Sequence, residues 1–500
     1  MSTNPASGDS VSATSSKWHL ASLAKDTLMY GVATALGKSF ALITFPLLAR
    51  HFSTAEYGVL DFLYSASALL STLLVFGQDS AVARFVASAN SDVERRRMSS
   101  ESLVAQVTLS VAAAVVGAIL AADMASVVSD DLEGDEIHRS LLVILATVPF
   151  QIATNHALVM LKWNFKRTQF LALSLGSIGA NLLGLVVAVL VFDCGIAGAL
   201  LVTLVCRIAS AFVGCLLIRR WLCWPKRFQH LRSMSRFAVP YGIICVIGAF
   251  TPVLERSVIG ESLGAEDLGL YATAAKLASI MVLAVSAFET AWGPFHLAIY
   301  REPNAQRTFD AVLMVMAGAL GVGSLVLAAA APFLIGMLAS DRYMGAEYAV
   351  FPLAMAASVR GIGWVLSIGI GISLRAGWGL VGEIVAVAAT ILALMVLTSR
   401  FGIFGTACGV LIGQLVRAAG GHIAAQHVHR LPWRLAGAIA VCGSAVAFGI
   451  VGTALLGMDR VVGSTVLGVG SVFVTLATWI AVPAAQRALV VRLLFASRRH

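Results

Sequence analysis

Charge is scarce in this chain. Of its 500 residues only 12% are Asp, Glu, Lys or Arg, while 59% are apolar. A soluble fold of that length could not cover its surface with so few charges, so a polytopic membrane protein is implied. Metal and redox motifs are missing too. The seven cysteines (Cys194, Cys206, Cys215, Cys223, Cys245, Cys408 and Cys442) form no CxxC pair and no Cys/His cluster. They read as small apolar residues within helices, with neither a disulfide framework nor a metal site expected. There is no P-loop, no GxSxG elbow and no HExxH pair, which argues against ATP hydrolysis by this chain. The longest polar connections run only over roughly 123–139 and 219–236, leaving no room for a soluble catalytic domain.

What is present is a succession of apolar runs of spanning length. They fall at roughly 28–50, 58–80, 102–122, 140–160, 170–192, 196–218 and 237–258, and then at roughly 268–291, 309–331, 347–371, 378–398, 403–420, 435–456 and 461–483. Each approaches the ~20 residues that a helix needs to cross a bilayer. The expected fold is therefore all-α, with about 14 transmembrane helices. Residues 1–17 are polar and Ser/Thr-rich, without the basic start and apolar core of a cleavable signal, and 1–27 are expected to be a disordered cytoplasmic tail.

Orientation follows from the basic residues. Alternate connections hold Arg95, Arg96, Arg97, Lys162, Lys166, Arg167, Arg219 and Arg220, with Lys226, Arg227, Arg232 and Arg236. The opposite set is poor in basic residues and carries the acidic run Asp130, Asp131, Glu133, Asp135, Glu136. An even number of spans with both termini cytoplasmic satisfies this pattern, and it accounts for the net charge of +9 without any nucleic-acid partner.

The chain also echoes itself. Residues 55–75, AEYGVLDFLYSASALLSTLLV, and residues 265–285, AEDLGLYATAAKLASIMVLAV, each open with an Ala-Glu turn and a Gly before an apolar run. Under the orientation above both turns face the periplasm, and each joins the first and second helices of its half. Such a repeat is parallel, with the halves related by an axis along the membrane normal. Charges embedded in spans are costly and persist where they pair or line a wet cavity. Lys38 shares a small, polar face of helix one with Thr27, Gly31 and Thr34. Helix two repeats this pattern with Asp61, Ser65, Ala68, Thr72 and Asp79, and helix eight with Lys276, Ser279, Ser286 and Thr290. These three helices are the candidates for lining a cavity. Arg84 and Arg417, near span ends, are expected to snorkel, and helices 13 and 14 carry no embedded charge and should pack peripherally.

PLLARHFSTAEYG (46–58) and FGQDSAVARF (76–85) resemble the start of the bacterial polysaccharide transporter family, related to O-antigen flippases. So does the block from Pro240 through VLERSVIGESLGAEDLGLYATAAKLASI to AWGPF (291–295), and LKWNFKR (161–167) also fits. The family belongs to the multidrug/oligosaccharidyl-lipid/polysaccharide flippase superfamily. The resemblance implies two pseudo-symmetric six-helix lobes around a central cavity, plus two extra C-terminal helices. On that basis 28–218 is the N-lobe, 219–236 a basic cytoplasmic linker and 237–420 the C-lobe. Residues 435–483 are the peripheral pair, and 484–500 a basic cytoplasmic tail. It further implies a flippase, not an enzyme, moving undecaprenyl-diphosphate-linked oligosaccharide across the bacterial inner membrane for exopolysaccharide, capsule or O-antigen assembly. Its partners would be that lipid-linked substrate, membrane lipids, and a polysaccharide polymerase and glycosyltransferases. Other readings stay open: a lipid II flippase or an ion-coupled multidrug exporter of the same superfamily, and more distantly a membrane glycan ligase or acyltransferase, or a scaffold.

Under the flippase reading an anionic diphosphate must cross ~30 Å of hydrocarbon. Lys38, Arg256, Lys276, Arg207 and Arg360 are the candidates to bind it, Arg being suited to bidentate phosphate contact. The alternative for Glu255 and Arg256 is a structural ion pair. No cofactor is expected, but Asp79, Glu255, Glu289 and Glu383 are candidates for H⁺ or Na⁺ coupling, with interfacial anchoring as their plainer role. Pro240 and Pro252, bracketing helix seven, are candidates for gating through a bent helix.

Overall fold

A computed structural model describes residues 42–89, 91–121, 134–225, 227–373 and 377–482. The described residues are helical throughout their regular structure. After helical residues 42–51 (α1) come α2 (Thr54–Val75), α3 (Gln78–Ser88), α4 (Asp92–Ile119), α5 (Gly134–Trp163), α6 (Arg167–Leu190) and α7 (Ile196–Ile218). The second half holds α8 (Leu231–Leu263), α9 (Ala265–Ile299), α10 (Ala305–Leu338), α11 (Glu347–Leu366), the short α12 (Ile368–Ser373) and α13 (Gly377–Val428). Two further helices, α14 (Leu435–Leu456) and α15 (Arg460–Ala481), close the described chain.

Twelve of the described helices are long and apolar enough to cross a membrane. One of these, α13, bends at Gly402 (φ 58°, ψ −142°) and so supplies two spans. With α1 as the end of the first expected span, the arrangement agrees with about fourteen helices. The expected span 58–80 is not one helix. Phe76 (φ 41°) and Gly77 (φ 74°) are both left-handed, and the chain turns there before continuing as α3. The reason is tertiary: a Cβ on Gly77 would lie 2.5 Å from the Ala238 carbonyl and 2.6 Å from the Gly242 amide of α8. No side chain could occupy that crossing.

Two lobes result. In the N-lobe α5 is central, packing on α4 and α7 as well as on α2 and α3, with α6 against α7. In the C-lobe α11 holds the corresponding place against α9, α10 and α13, while α8 packs on α13. The pair α14 and α15, with no charge embedded in its spans, sits against α10 and α11, outside the two lobes' seam. Small residues bring the backbones together there, as expected where lipid supplies no hydrophobic drive between helices. Gly449 faces the Phe351 ring, Gly437 the end of Met314, and Gly318 the Thr478 side chain. The pair is also tied by an ion pair between Arg460 Nη2 and the fully buried Glu347, 3.2 Å apart.

The lobes meet where α2 and α3 pack against α8 and α9. The two echoing segments lie on this seam and touch each other. A Cβ on Gly58 would fall 2.6 Å from the Gly269 amide and 2.8 Å from the Ala265 carbonyl, so the two repeat glycines permit a backbone-to-backbone crossing. At the same end Ser53 and Glu56 form a capping box that starts α2. The Tyr343 hydroxyl donates to the Phe52 and Ser53 carbonyls, 3.2 Å each, and Arg50 donates to the Met337 and Leu338 carbonyls. This end, opposite the basic connections, is where the lobes are pinned. Toward the basic end the seam continues along α8 only, with Gln78 Nε2 donating to Ser235 Oγ at 2.8 Å and Arg84 lying over the Phe237 ring.

Candidate functional site

Each lobe holds a partly open cavity beside the seam, its wall mostly apolar with a few charged and polar side chains. The N-lobe cavity, about 310 Å³, is walled by α1, α2, α6 and α7 and closed by one residue of α9, Lys276. Its polar lining includes Asp61, Tyr64, Asn181 and Arg207. The Tyr64 hydroxyl is 3.1 Å from Thr203 Oγ1, which fixes that wall. Arg207 and Lys276 have no carboxylate in ion-pair range among the described residues, and each is half-buried. Two cations against one carboxylate in a partly dehydrated space favour an anionic guest.

The C-lobe cavity is larger, about 880 Å³, and lies among α8, α9, α11, α12 and α13. Glu255, Glu289, Arg360, Glu383, Gln414 and Arg417 supply its polar wall. Three of the four acidic coupling candidates therefore share one cavity, whereas Asp79 lies beyond the Gly77 turn on α3 and lines neither. Arg417 does not point away from the protein as a snorkelling residue would. It donates to Glu383 across 3.0 Å, and both side chains are about one-quarter exposed. Pro252 has no amide to offer the Gly248 carbonyl, and both residues line this cavity. Pro240 and Pro252 lie within one unbroken helix, α8. A smaller recess of about 180 Å³ shares Glu255, Arg360 and Gln414 with this cavity and adds Tyr271, Ser279 and Ser286. The polar face predicted on helix eight is thus divided, with Lys276 serving the N-lobe cavity and Ser279 and Ser286 the C-lobe recess.

Between the cavities stands Arg256. Its Nε donates to Asp61 Oδ2 at 2.7 Å, joining α8 to α2 across the seam, and its Nη1 donates to the Pro252 carbonyl at 3.0 Å. Glu255 Oε2 is 4.0 Å from the same Nη1 and accepts a 2.8 Å hydrogen bond from the Tyr271 hydroxyl. Tyr271 also places its ring 6.0 Å from the guanidinium. Asp61 and Arg256 each lie roughly 10 Å, about two turns, inside their helices from the pinned end, which is why they meet. Glu255 and Arg256 are adjacent in sequence, so their proximity is legible there. The Asp61 partnership joins residues far apart in the chain, and its one sequence signal is that Asp61 lies on the polar face of helix two. Lys38, with the rest of the helix-one face, falls outside the described residues. Among the described residues no group of three or more His, Cys, Asp or Glu could hold a metal ion, and all seven cysteines are unpaired.

A family model described as "Polysaccharide biosynthesis protein" matches residues 23–299, more than half of the chain. The chain belongs to that family. The matched stretch contains both echoing segments, the whole N-lobe cavity and the Asp61–Arg256 crossing. No curated protein sequence matches the chain. Among solved structures, "Lipid II flippase MurJ, inward closed conformation" superposes with a TM-score of 0.71 at 12% identity, covering 93% of this chain and all of that one. An inward-facing multidrug resistance MATE family transporter of the MOP superfamily superposes with a TM-score of 0.63 at 13% identity, covering 79% and 94%. The Vibrio cholerae MATE transporter VcmN in the bent form gives 0.56 at 15% identity, covering 82% and 97%. At such identities the likeness is one of fold: this member of the polysaccharide biosynthesis family is a multi-pass membrane protein with the MurJ/MATE architecture.

Proposed function

We propose that this protein is a flippase for undecaprenyl-diphosphate-linked oligosaccharide repeat units, carrying them across the bacterial inner membrane for exopolysaccharide, capsule or O-antigen assembly. Membership in the polysaccharide biosynthesis family supports a lipid-linked glycan as cargo. The observation that carries the reading is the pair Arg207 and Lys276, which come from different lobes yet wall one cavity at the seam without carboxylate partners of their own among the described residues. A diphosphate placed between them would be held by charge-assisted contacts that change when the lobes move apart, as alternating access requires. In this reading Lys38 and Arg360 are further contacts for the head group, Arg256 acts at the crossing, and no chemical step falls to the protein. Both termini are cytoplasmic, so the pinned end faces the periplasm. Glu255, Glu289 and Glu383, facing the C-lobe cavity, would take up the driving H⁺ or Na⁺, with Asp79 outside that cavity.

The test is deletion of the gene followed by analysis of the membrane lipids. A lipid-linked oligosaccharide should accumulate on the cytoplasmic leaflet, and the wild-type chain should clear it while Arg207→Gln and Lys276→Gln do not, at equal membrane expression. Accumulation of lipid II instead, or clearance by both variants, would overturn the assignment.

A further inference from the structure

Resting on the flippase reading above, we infer that the Asp61–Arg256 bridge is an anion-released latch: a diphosphate entering the N-lobe cavity competes for Arg256, and its capture unfastens the two lobes at their pinned end. Four observations converge on this. Among the described residues it is the one Arg–carboxylate pair that joins α2 to α8, and so one lobe to the other. The bridge stands at the end where Gly58 abuts Gly269 and where Tyr343 and Arg50 bond across the seam. Asp61 is itself part of the cavity wall that carries Arg207 and Lys276. Finally, the guanidinium stands between the two cavities, since its partner Asp61 lines the N-lobe space and its second acidic neighbour, Glu255, lines the C-lobe space.

The chemistry follows from those positions. Arg207 and Lys276 draw a diphosphate into a space whose sole carboxylate among the described residues is Asp61. The arriving anion repels Asp61 and attracts the guanidinium that Asp61 holds, so one event opposes the bridge from both sides. A guanidinium binds phosphate oxygens as readily as carboxylate oxygens, so Arg256 exchanges one partner for another and is not left buried without one. Asp61 loses its partner but already lines the cavity, beside Tyr64 and Asn181. Tyr271 retains Glu255 through its hydroxyl, and this keeps the acidic neighbour in place while Arg256 moves. Asp61 and Tyr271 are thereby positioning residues, acting on cargo through Arg256.

The experiment uses the full-length chain in lipid nanodiscs, with spin labels on unnatural amino acids at Phe192 and Met458. Both are well exposed, and they lie in connections at the pinned end, Phe192 on the N-lobe and Met458 on the peripheral pair that packs on the C-lobe helices α10 and α11. Farnesyl diphosphate is the lipid probe and inorganic pyrophosphate the free one. In the wild type, farnesyl diphosphate should lengthen the interlabel distance; a matching response to pyrophosphate would assign the trigger to the diphosphate alone, still through Arg256. Asp61→Asn should show the longer distance without ligand, and its half-saturating concentration should fall by roughly tenfold, within the usual range of coupling between linked sites. The double variant Asp61→Arg/Arg256→Asp should restore the short distance without ligand, which separates loss of the latch from loss of folding. Arg207→Gln should keep the short distance and lose the ligand response. The latch is overturned if the wild type binds farnesyl diphosphate with no change in distance, or if Asp61→Asn matches the wild type in both distance and affinity. Failure of the wild type to bind either diphosphate would instead overturn the flippase reading on which the latch rests.

Discussion

Replacing Gly58 by Ala is the sharpest test of how the lobes are held. The added Cβ would sit 2.6 Å from the Gly269 amide nitrogen, 2.8 Å from the Ala265 carbonyl oxygen and 3.0 Å from the Leu268 carbonyl carbon. All three are backbone atoms of the opposing helix start, so no side chain can turn aside to make room. To recover the ~3.5 Å of an ordinary contact, α2 and α9 must separate by roughly 0.9 Å. Overpacking of this kind costs about 1–3 kcal/mol. Here the penalty applies only while the pinned end is closed, because parting the lobes removes the clash. The equilibrium between closed and parted states should therefore shift roughly 5- to 150-fold toward parting, the factor that 1–3 kcal/mol represents. The assay is the distance distribution between labels at Phe192 and Met458 in nanodiscs, together with complementation of the deletion strain. Gly443→Ala is the control, since a Cβ there meets nothing within 4 Å and the site is a helix interior. The distribution should gain a longer component in Gly58→Ala and stay unchanged in Gly443→Ala. A wild-type distribution and wild-type transport in Gly58→Ala would refute the reasoning that these glycines set the closed crossing.

Arg256→Gln removes one member of a largely buried pair and leaves Asp61 facing the cavity alone. Loss of a buried partner costs about 3–5 kcal/mol, and a value near the lower end is expected because the cavity admits water; thermal unfolding in detergent measures it. Glu347→Gln should destabilise more than Arg460→Ala, because Glu347 is fully buried while the Arg460 side chain is 51% exposed. The difference should appear as faster hydrogen exchange across α14 and α15. Glu101→Gln removes a buried carboxylate that accepts from the His230 and Leu231 amides at 2.8 and 3.2 Å, capping the start of α8 from α4. A loss of about 1–3 kcal/mol is expected, read as faster exchange over residues 227–236 with the C-lobe core unchanged.

Much of the architecture is legible in the sequence because the bilayer imposes it. A span must be apolar for about 20 residues and its charges must lie outside, so helix number, the alternating basic connections and the unloaded character of the last pair can be read from local composition. The bend at Gly402 and the short 191–195 connection separate spans that the apolar runs had already distinguished. The echo at 55–75 and 265–285 is equally local, and it marks the two segments that cross at Gly58 and Gly269.

Pairing is another matter. Lys276 belongs by sequence to the second half, yet it closes a cavity of the first, because α9 crosses the seam and presents successive residues to different lobes. Arg256 and Asp61 have no periodic relation, and their contact depends on α2 starting and α8 ending at the same end, each residue about two turns in from it. The turn at Phe76–Gly77 falls inside the expected span 58–80; Gln78, Asp79 and Ser80 interrupt the apolar run directly after it, but only the approach of α8 shows why Gly is needed there. The sequence by itself determined which segments cross the membrane and which charges are embedded, since solvation acts on each residue in its own span. Which of those charges oppose, shield or free one another was decided only by the packing of two lobes, because ionic contact depends on distances between helices that the chain order does not contain.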